Sequence, residues 1–451
     1  MFDMNNIKDK KVLVVGAGRS GVESCRLLLK AGAHPVLSDS KEREQWSDAA
    51  LSLEEQGVEL MCGRQFADKV DWQLAVVSPG VPPMIPLLNI TREAGVEVIG
   101  EIELAYRCSH APYLGVTGTN GKTTTTSLLG FILEKAGLDV LVGGNIGSAL
   151  ALTASDFHGD YIVAELSSFQ LETCNTFKPH VAVHLNLTPD HLDRHGSMEN
   201  YAAAKESMFL RQDETDFAVL NRDDPVVSSI AGRTRARVLW LSLEQELEDG
   251  MYFDGTAIRV REKGETVYSF PAADIFIKGR HNMQNAMAAA LAAHAVGVSY
   301  ADIASSLAGF PGVPHRLEFV CKKDGVTYVN DSKGTNPDST YQALRAYDEP
   351  MILLLGGYDK NADFSALMPL IKDKVKLAVV YGATLPKIKS CLLEHGFDRF
   401  VTADGFRDAV AAAQSAAEEG DVVMLSPACA SWDEFDNFEQ RGDLFKELVR
   451  K

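Results

Sequence analysis

The segment Val116-Thr117-Gly118-Thr119-Asn120-Gly121-Lys122-Thr123 constrains this chain more than any other. It follows the apolar run Tyr113-Leu114-Gly115-Val116, which reads as a buried strand, and leads into a helical stretch from Thr123 to about Ala136. A Gly-Lys-Thr ending between strand and helix offers backbone N–H groups and the positive end of a helix dipole to phosphate oxygens. In such a loop Lys122 meets the β- and γ-phosphates and Thr123 offers its hydroxyl to Mg²⁺. Val116 stands where the general GxxxxGK[ST] pattern has its first glycine. The loop therefore predicts a central α/β domain of the P-loop ATPase type with ATP as its ligand.

The same alternation of short apolar runs and helices extends to both ends. Lys11-Val12-Leu13-Val14-Val15 reads as a strand, Gly16-Ala17-Gly18-Arg19-Ser20-Gly21 as a GxGxxG turn, Val22 to Lys30 as a helix, and Pro35 to Asp39 as the next strand. Leu74 to Val77 and Val96 to Ile99 continue the pattern to about residue 100. The second unit takes in strands Tyr161 to Leu166 and Val181 to Leu185 and the Ala-rich helix after Asn282, and ends at the turn Pro311-Gly312-Val313-Pro314. Runs at Val326 to Val329, Met351 to Leu355, Leu377 to Tyr381 and Val422 to Leu425 make a third α/β unit. Boundaries of 1–100, 101–312 and 313–451 give three domains, as does a chain of 451 residues at roughly 150 per domain.

Bulk properties exclude several classes. The net charge of -18 argues against a broad nucleic-acid surface. No apolar run approaches the roughly 18 residues of a membrane span, and the first residues lack the basic and apolar regions of an export signal. Seven scattered cysteines without a Cys-x-x-Cys indicate neither a disulfide framework nor a zinc site, which fits a reducing cytoplasm.

Other residues carry two readings each. The GxGxxG run with Asp39 at the next strand end suits a nucleotide diphosphate, with NAD one case of that and a plain structural turn the alternative. Glu165, at a strand end, is either a Mg²⁺ ligand or a solvated carboxylate. His191, in Thr188-Pro189-Asp190-His191-Leu192-Asp193-Arg194-His195, is either a metal ligand or a surface or capping histidine, since Mg²⁺ prefers oxygen. Lys205, taken alone, is a solvated helical lysine.

Together these segments resemble the Mur ligase family of ATP-dependent, amide-forming enzymes. The Thr-Gly-Thr-Asn-Gly-Lys-Thr loop, Glu-Leu-Ser-Ser-Phe-Gln from Glu165, Asp-His-Leu-Asp-Arg-His from Asp190, Tyr-x-x-Ala-Lys from Tyr201, His-Asn-x-x-Asn from His281, Pro-His-Arg from Pro314 and Asn-Asp-Ser-Lys from Asn330 stand in family order. Ser426-Pro427-Ala428-Cys429-Ala430-Ser431 and Asn437-Phe438-Glu439-Gln440-Arg441-Gly442 are similar to the branch that adds D-glutamate.

The resemblance implies an α/β fold of three domains: Rossmann-like, then P-loop ATPase-type, then Rossmann-like again. It implies ATP and Mg²⁺, with UDP-N-acetylmuramoyl-L-alanine and D-glutamate as substrates in cytoplasmic peptidoglycan precursor synthesis, a step that cell shape and division require. It implies a monomer without NAD, nucleic acid or membrane insertion. The UDP-substrate is assigned to Ser20, Asp39, Ser40, Gly80, Asn145 and Ser167. ATP is assigned to Gly118, Thr119, Asn120, Gly121, Lys122, Thr123 and Thr124, with Asn282, Asn285, Arg316 and Asp331 at adenine and ribose. D-Glutamate is assigned to Thr335, Lys360, Ser431 and Phe438. One Mg²⁺ falls to Thr123 and Glu165 and a second to His191 and Lys205, the latter as its carbamate, an anionic oxygen ligand in place of a repelling cation. Lys122, His191, Lys205 and Lys333 carry the catalytic roles. Closure of the third domain onto the second about residues 311–314 is expected to complete the site.

Overall fold

The computed structural model describes residues 7–63, 69–146, 150–277, 279–359 and 362–451. Its strands form three sheets. The first, in the order β3-β2-β1-β4-β5, is parallel throughout: β1 Lys11–Val15, β2 His34–Asp39, β3 Glu59–Cys62, β4 Leu74–Val77 and β5 Val98–Gly100. Alternation along β1 decides which face each residue serves. Val12 and Val14 pack with Leu27 and Leu28 of the helix Arg19–Lys30, while Leu13 and Val15 pack with Leu87 and Leu88 on the other face. Each fully buried side chain of this kind contributes about 1.5–3 kcal/mol, and coverage of both faces is what a parallel sheet requires.

The second sheet has nine strands in the order β14-β13-β12-β11-β10-β9-β6-β8-β7. Its parallel part comprises β6 Tyr113–Thr117, β7 Val140–Gly144, β8 Tyr161–Glu165, β9 Val181–His184, β10 Phe217–Asn221 and β11 Arg237–Ser242. Beyond these, β12 Gly250–Phe253 joins β11 in parallel, and β13 Ala257–Glu262 and β14 Glu265–Pro271 extend the edge in antiparallel fashion. The third sheet, in the order β15-β16-β20-β17-β18-β19, is parallel except where β15 Glu318–Lys323 runs against β16 Val326–Asn330. Its remaining strands are β17 Met351–Gly356, β18 Val375–Tyr381, β19 Phe400–Thr402 and β20 Val422–Leu425.

The chain clusters into two compact units. One, Met1–Ile275 with Met283–Ala308, holds the first two sheets; the other, Phe276–Asn282 with Gly309–Lys451, holds the third. Within the first unit the helix Glu101–Cys108 binds the two sheets together. The buried Glu103 carboxylate accepts from Thr176 N, Phe177 N and Arg107 Nε at 2.9, 2.9 and 2.7 Å, and Glu101 accepts from Ala151 N at 2.8 Å. Buried carboxylates with satisfied oxygens are tolerated where bare ones are not.

Candidate active site

Strand β6 is the axis of the site. It lies between β8 and β9, in a register that sets Val116 opposite Glu165 and Thr117 opposite His184. The glycine-threonine loop leaves the end of β6, and the helix Lys122–Lys135 begins directly after it. Gly121 has φ 87°, and a Cβ there would meet Asn285 Oδ1 at 2.3 Å, so both backbone and space require glycine. Asn285 Oδ1 accepts from Thr125 Oγ1 at 3.2 Å, which ties the helix Arg280–Ala295 to the loop's own helix. Lys122 Nζ donates to the carbonyls of Gly118 and Thr119 at 2.9 and 2.8 Å.

Lys205, on the helix Met198–Leu210, is not solvated. It is 1% exposed, and its Nζ donates to Gly118 O at 2.8 Å and Thr117 Oγ1 at 3.4 Å. Burial, reinforced by the nearby charge of Lys122, pulls its pKa well below the ordinary lysine range. A neutral amine is the form that reacts with CO₂, so this burial makes carbamate formation chemically accessible.

Glu165 is likewise buried rather than solvated. Asn145 Nδ2 donates to its Oε1 at 2.8 Å, while Oε2 has no hydrogen-bond partner among the described residues. An oriented, unpartnered carboxylate oxygen beside a phosphate loop fits a divalent cation. No group of three or more His, Cys, Asp or Glu able to hold a metal occurs among the described residues. His191 is half exposed, at φ 52°, 3.5 Å from Asp190, with its ring 4.8 Å from that of Phe169.

In the first sheet, Asp39 Oδ2 accepts from Ala17 N at 2.8 Å and Oδ1 from Lys41 N at 3.0 Å, joining the glycine turn to the end of β2. Gly21 permits that turn, since a Cβ would fall 1.8 Å from Gly16 O. Ser20 is the second residue of the following helix, Ser40 and Gly80 are exposed, and a cavity of about 440 Å³ is lined by Gly18, Arg19, Asp39, Lys41 and Trp46. Ser167 caps the short helix Ser168–Leu171, and Asn145 is engaged with Glu165.

In the second unit Asp331 accepts from Ser426 Oγ at 2.7 Å and Leu317 N at 3.2 Å, and burial raises its pKa to about 6 against the opposing pull of Arg316. Lys333 Nζ sits 5.5 Å from the Phe438 ring centre, Ser431 is buried, and Thr335 N donates to Lys333 O. Lys360 lies outside the described residues.

Two groups carried no role in the sequence. Arg441 is fully buried and donates to Ser332 Oγ and the carbonyls of Ser332, Cys429 and Ala430 at 2.9–3.2 Å, tying the Asn330–Lys333 turn to the Ser426–Ser431 loop. His184 is buried in β9, and burial, with the nearby Lys122 charge adding to it, pulls its pKa well below the ordinary histidine range. Only the Asn437–Gly442 motif pointed to the first, and an apolar run concealed the second.

Comparison with known proteins agrees with this geometry. Residues 10–100 match the model of the Mur ligase MurD-like N-terminal domain, 116–293 the Mur ligase middle domain, and 315–429 the Mur ligase glutamate ligase domain. The chain is 48% identical over 442 residues to UDP-N-acetylmuramoylalanine--D-glutamate ligase of Pelotomaculum thermopropionicum, covering 98% of this chain and 97% of that one. It is 42% identical to the protein of the same name from Thermoanaerobacter pseudethanolicus, with 98% of each covered. Among solved structures, UDP-N-acetylmuramate-alanine ligase of Thermotoga maritima superposes with a TM-score of 0.61 at 18% identity over 98% of this chain and 99% of that one. The ADP complex of MurF ligase from the same organism gives 0.61 at 17%, over 100% and 97%. By its motifs, its three matched domains and relatives alike over nearly its whole length, this chain belongs to the Mur ligase family.

Proposed function

We propose that this protein is the ATP-dependent ligase that joins D-glutamate to UDP-N-acetylmuramoyl-L-alanine in the cytoplasm, forming ADP, phosphate and an amide. The observation that carries the reading is the meeting, around the end of β6, of the phosphate loop, the unpartnered Glu165 Oε2 and the buried Lys205. The names of relatives at 42–48% identity support the choice of substrates.

The substrate carboxylate attacks the γ-phosphorus of ATP, giving an acyl phosphate and ADP; the amine of D-glutamate then displaces phosphate through a tetrahedral intermediate. The chemical demand is to hold anions in line while their charge shifts. Gly118 to Thr124 hold the ATP phosphates through backbone N–H groups and Lys122, with Asn282, Asn285, Arg316 and Asp331 at adenine and ribose. Ser20, Asp39, Ser40, Gly80, Asn145 and Ser167 hold the sugar nucleotide. Thr335, Lys360, Ser431 and Phe438 hold D-glutamate, with Lys333 at the reacting phosphate. One Mg²⁺ held by Thr123 and Glu165 and a second held by His191 and carbamylated Lys205 would supply charge neutralisation to the phosphate oxygens. The protein works as a monomer of three domains bounded near residues 100 and 312.

Phosphate release from ATP with UDP-N-acetylmuramoyl-L-alanine tests this, with D-glutamate, L-glutamate, L-alanine and diaminopimelate compared as acceptors. Turnover confined to D-glutamate is expected. Turnover with a different acceptor moves the chain to a sister activity, and the absence of acceptor-dependent release from folded protein rejects the ligase. Small-angle scattering should show more compact dimensions with all ligands present.

A further inference from the structure

Beside the phosphate loop, the Glu172 carboxylate holds two basic side chains at once. Oε1 lies 2.8 Å from His195 Nδ1, and Oε2 accepts from Arg194 Nη2 at 3.2 Å. His195 Nε2 is 2.9 Å from Ser168 Oγ, and Arg194 Nη1 donates to Pro79 O at 3.2 Å. His195 and Ser168 are both buried. A carboxylate only accepts, so the neutral imidazole meets both partners by donating from Nδ1 to Glu172 and accepting the Ser168 hydroxyl proton at Nε2. The Arg194 guanidinium also covers the Phe169 ring at 4.4 Å.

The contacts of this cluster fall on segments already assigned to the sugar nucleotide. Pro79 precedes Gly80 on the first-sheet side, and Ser168 follows Ser167 on the second-sheet side. Proline has no N–H, so its carbonyl is the one main-chain hydrogen-bonding group residue 79 offers. The planar arginine fork places its donors to Pro79 and Glu172 in one fixed geometry, which a lysine ammonium does not reproduce.

We infer that Glu172, acting through Arg194 and His195, is a positioning residue that fixes the spacing between the Pro79-Gly80 turn and the Ser167-Ser168 turn, the two walls of the UDP-substrate path. The inference rests on the function proposed above for Gly80 and Ser167. Its energetic logic is that of preorganisation: a wall displaced by about 1 Å loses much of what it contributes to binding and alignment.

The test is steady-state phosphate release by the full-length enzyme, varying UDP-N-acetylmuramoyl-L-alanine, ATP and D-glutamate in turn, for unaltered protein, Glu172→Ala, Glu172→Gln and Arg194→Lys. Glu172→Ala and Arg194→Lys should raise KM for the sugar nucleotide about tenfold, leaving KM for ATP and the thermal midpoint unchanged. Glu172→Gln, which keeps an acceptor for one partner, should fall between. Unchanged KM for the sugar nucleotide in both Glu172→Ala and Arg194→Lys overturns the inference. So does a joint rise of all three KM values with a lowered midpoint, which marks general loosening. If the unaltered protein does not turn over these substrates, the functional reading fails and takes this inference with it, an outcome separable from altered variants of an active enzyme.

Discussion

Lys205 Nζ donates to the carbonyl oxygen of Gly118 across 2.8 Å, so the helix Met198–Leu210 is pinned by its lysine to the loop that is to hold ATP. Bland composition would put this lysine in water; the fold puts it in the dry interior, where its charge is costly.

Replacement of Lys205 by Ala or Arg should lower kcat by about 100-fold or more, since neither side chain can become an anionic oxygen ligand. A ¹³C carbamate resonance in labelled bicarbonate, present in the unaltered protein and absent from both variants, is the direct check. Full activity of Lys205→Arg would remove the carbamate from the account.

Gly121→Ala should weaken ATP binding. The new methyl group would press on Asn285 Oδ1 at a backbone angle that alanine rarely adopts. About 1–3 kcal/mol of local strain should appear as a raised KM for ATP, with the sugar-nucleotide KM little changed. Nucleotide titration of the variant by calorimetry reads this directly; an unaltered affinity would mean that the loop relaxes freely.

Glu101 makes a prediction about pH. Burial, against the pull of backbone N–H groups including that of Ala151, raises its pKa from 4.5 to about 7. The folded state therefore holds a proton that the unfolded chain gives up near 4.5. The contribution is complete below that pH and is lost as the pH climbs to about 7, at up to about 1.4 kcal/mol per pH unit. Thermal midpoints measured from pH 4.5 to 8 should show this slope in the unaltered protein and a flatter profile in Glu101→Gln. Parallel profiles would assign the slope to other groups.

Arg441→Met should destabilise the second unit by about 3 kcal/mol or more, because the buried carbonyls of Ser332 and Cys429 lose their donor together, while Ala430 O keeps the Tyr358 N–H. Hydrogen exchange should locate the loss in the Asn330–Lys333 and Ser426–Ser431 segments. Protection spread evenly over the third sheet would count against this localisation.

The α/β character and the phosphate loop were legible because their signals are local: apolar runs of strand length, glycines at turns, and a Gly-Lys-Thr at a helix start. The hairpin of β13 and β14 escaped notice since Ala257–Glu262 and Glu265–Pro271 mix charged and apolar residues on an exposed edge, where no continuous apolar run is needed. Arg441 and His184 act through partners 11–109 residues away or through burial alone, and spacing along the chain carries no trace of either. Glu165 was a candidate from its place at a strand end, whereas the role of Lys205 came from family resemblance alone; the physical reason for the lysine, a buried amine beside Lys122, exists only once β6 and the helix Met198–Leu210 have come together.

The helix Glu101–Cys108 starts on the residue after β5 ends, with no spacer, and its acidic side chains are roofed by backbone from residues 151, 176 and 177. A protease or an engineer cutting at that point would therefore not release a finished module. The cut would part Glu97 from Arg107 and Asn175, and the Gly100 N–H from Thr173 O, so recombination between relatives should succeed only when the exchanged piece carries both sides of this seam.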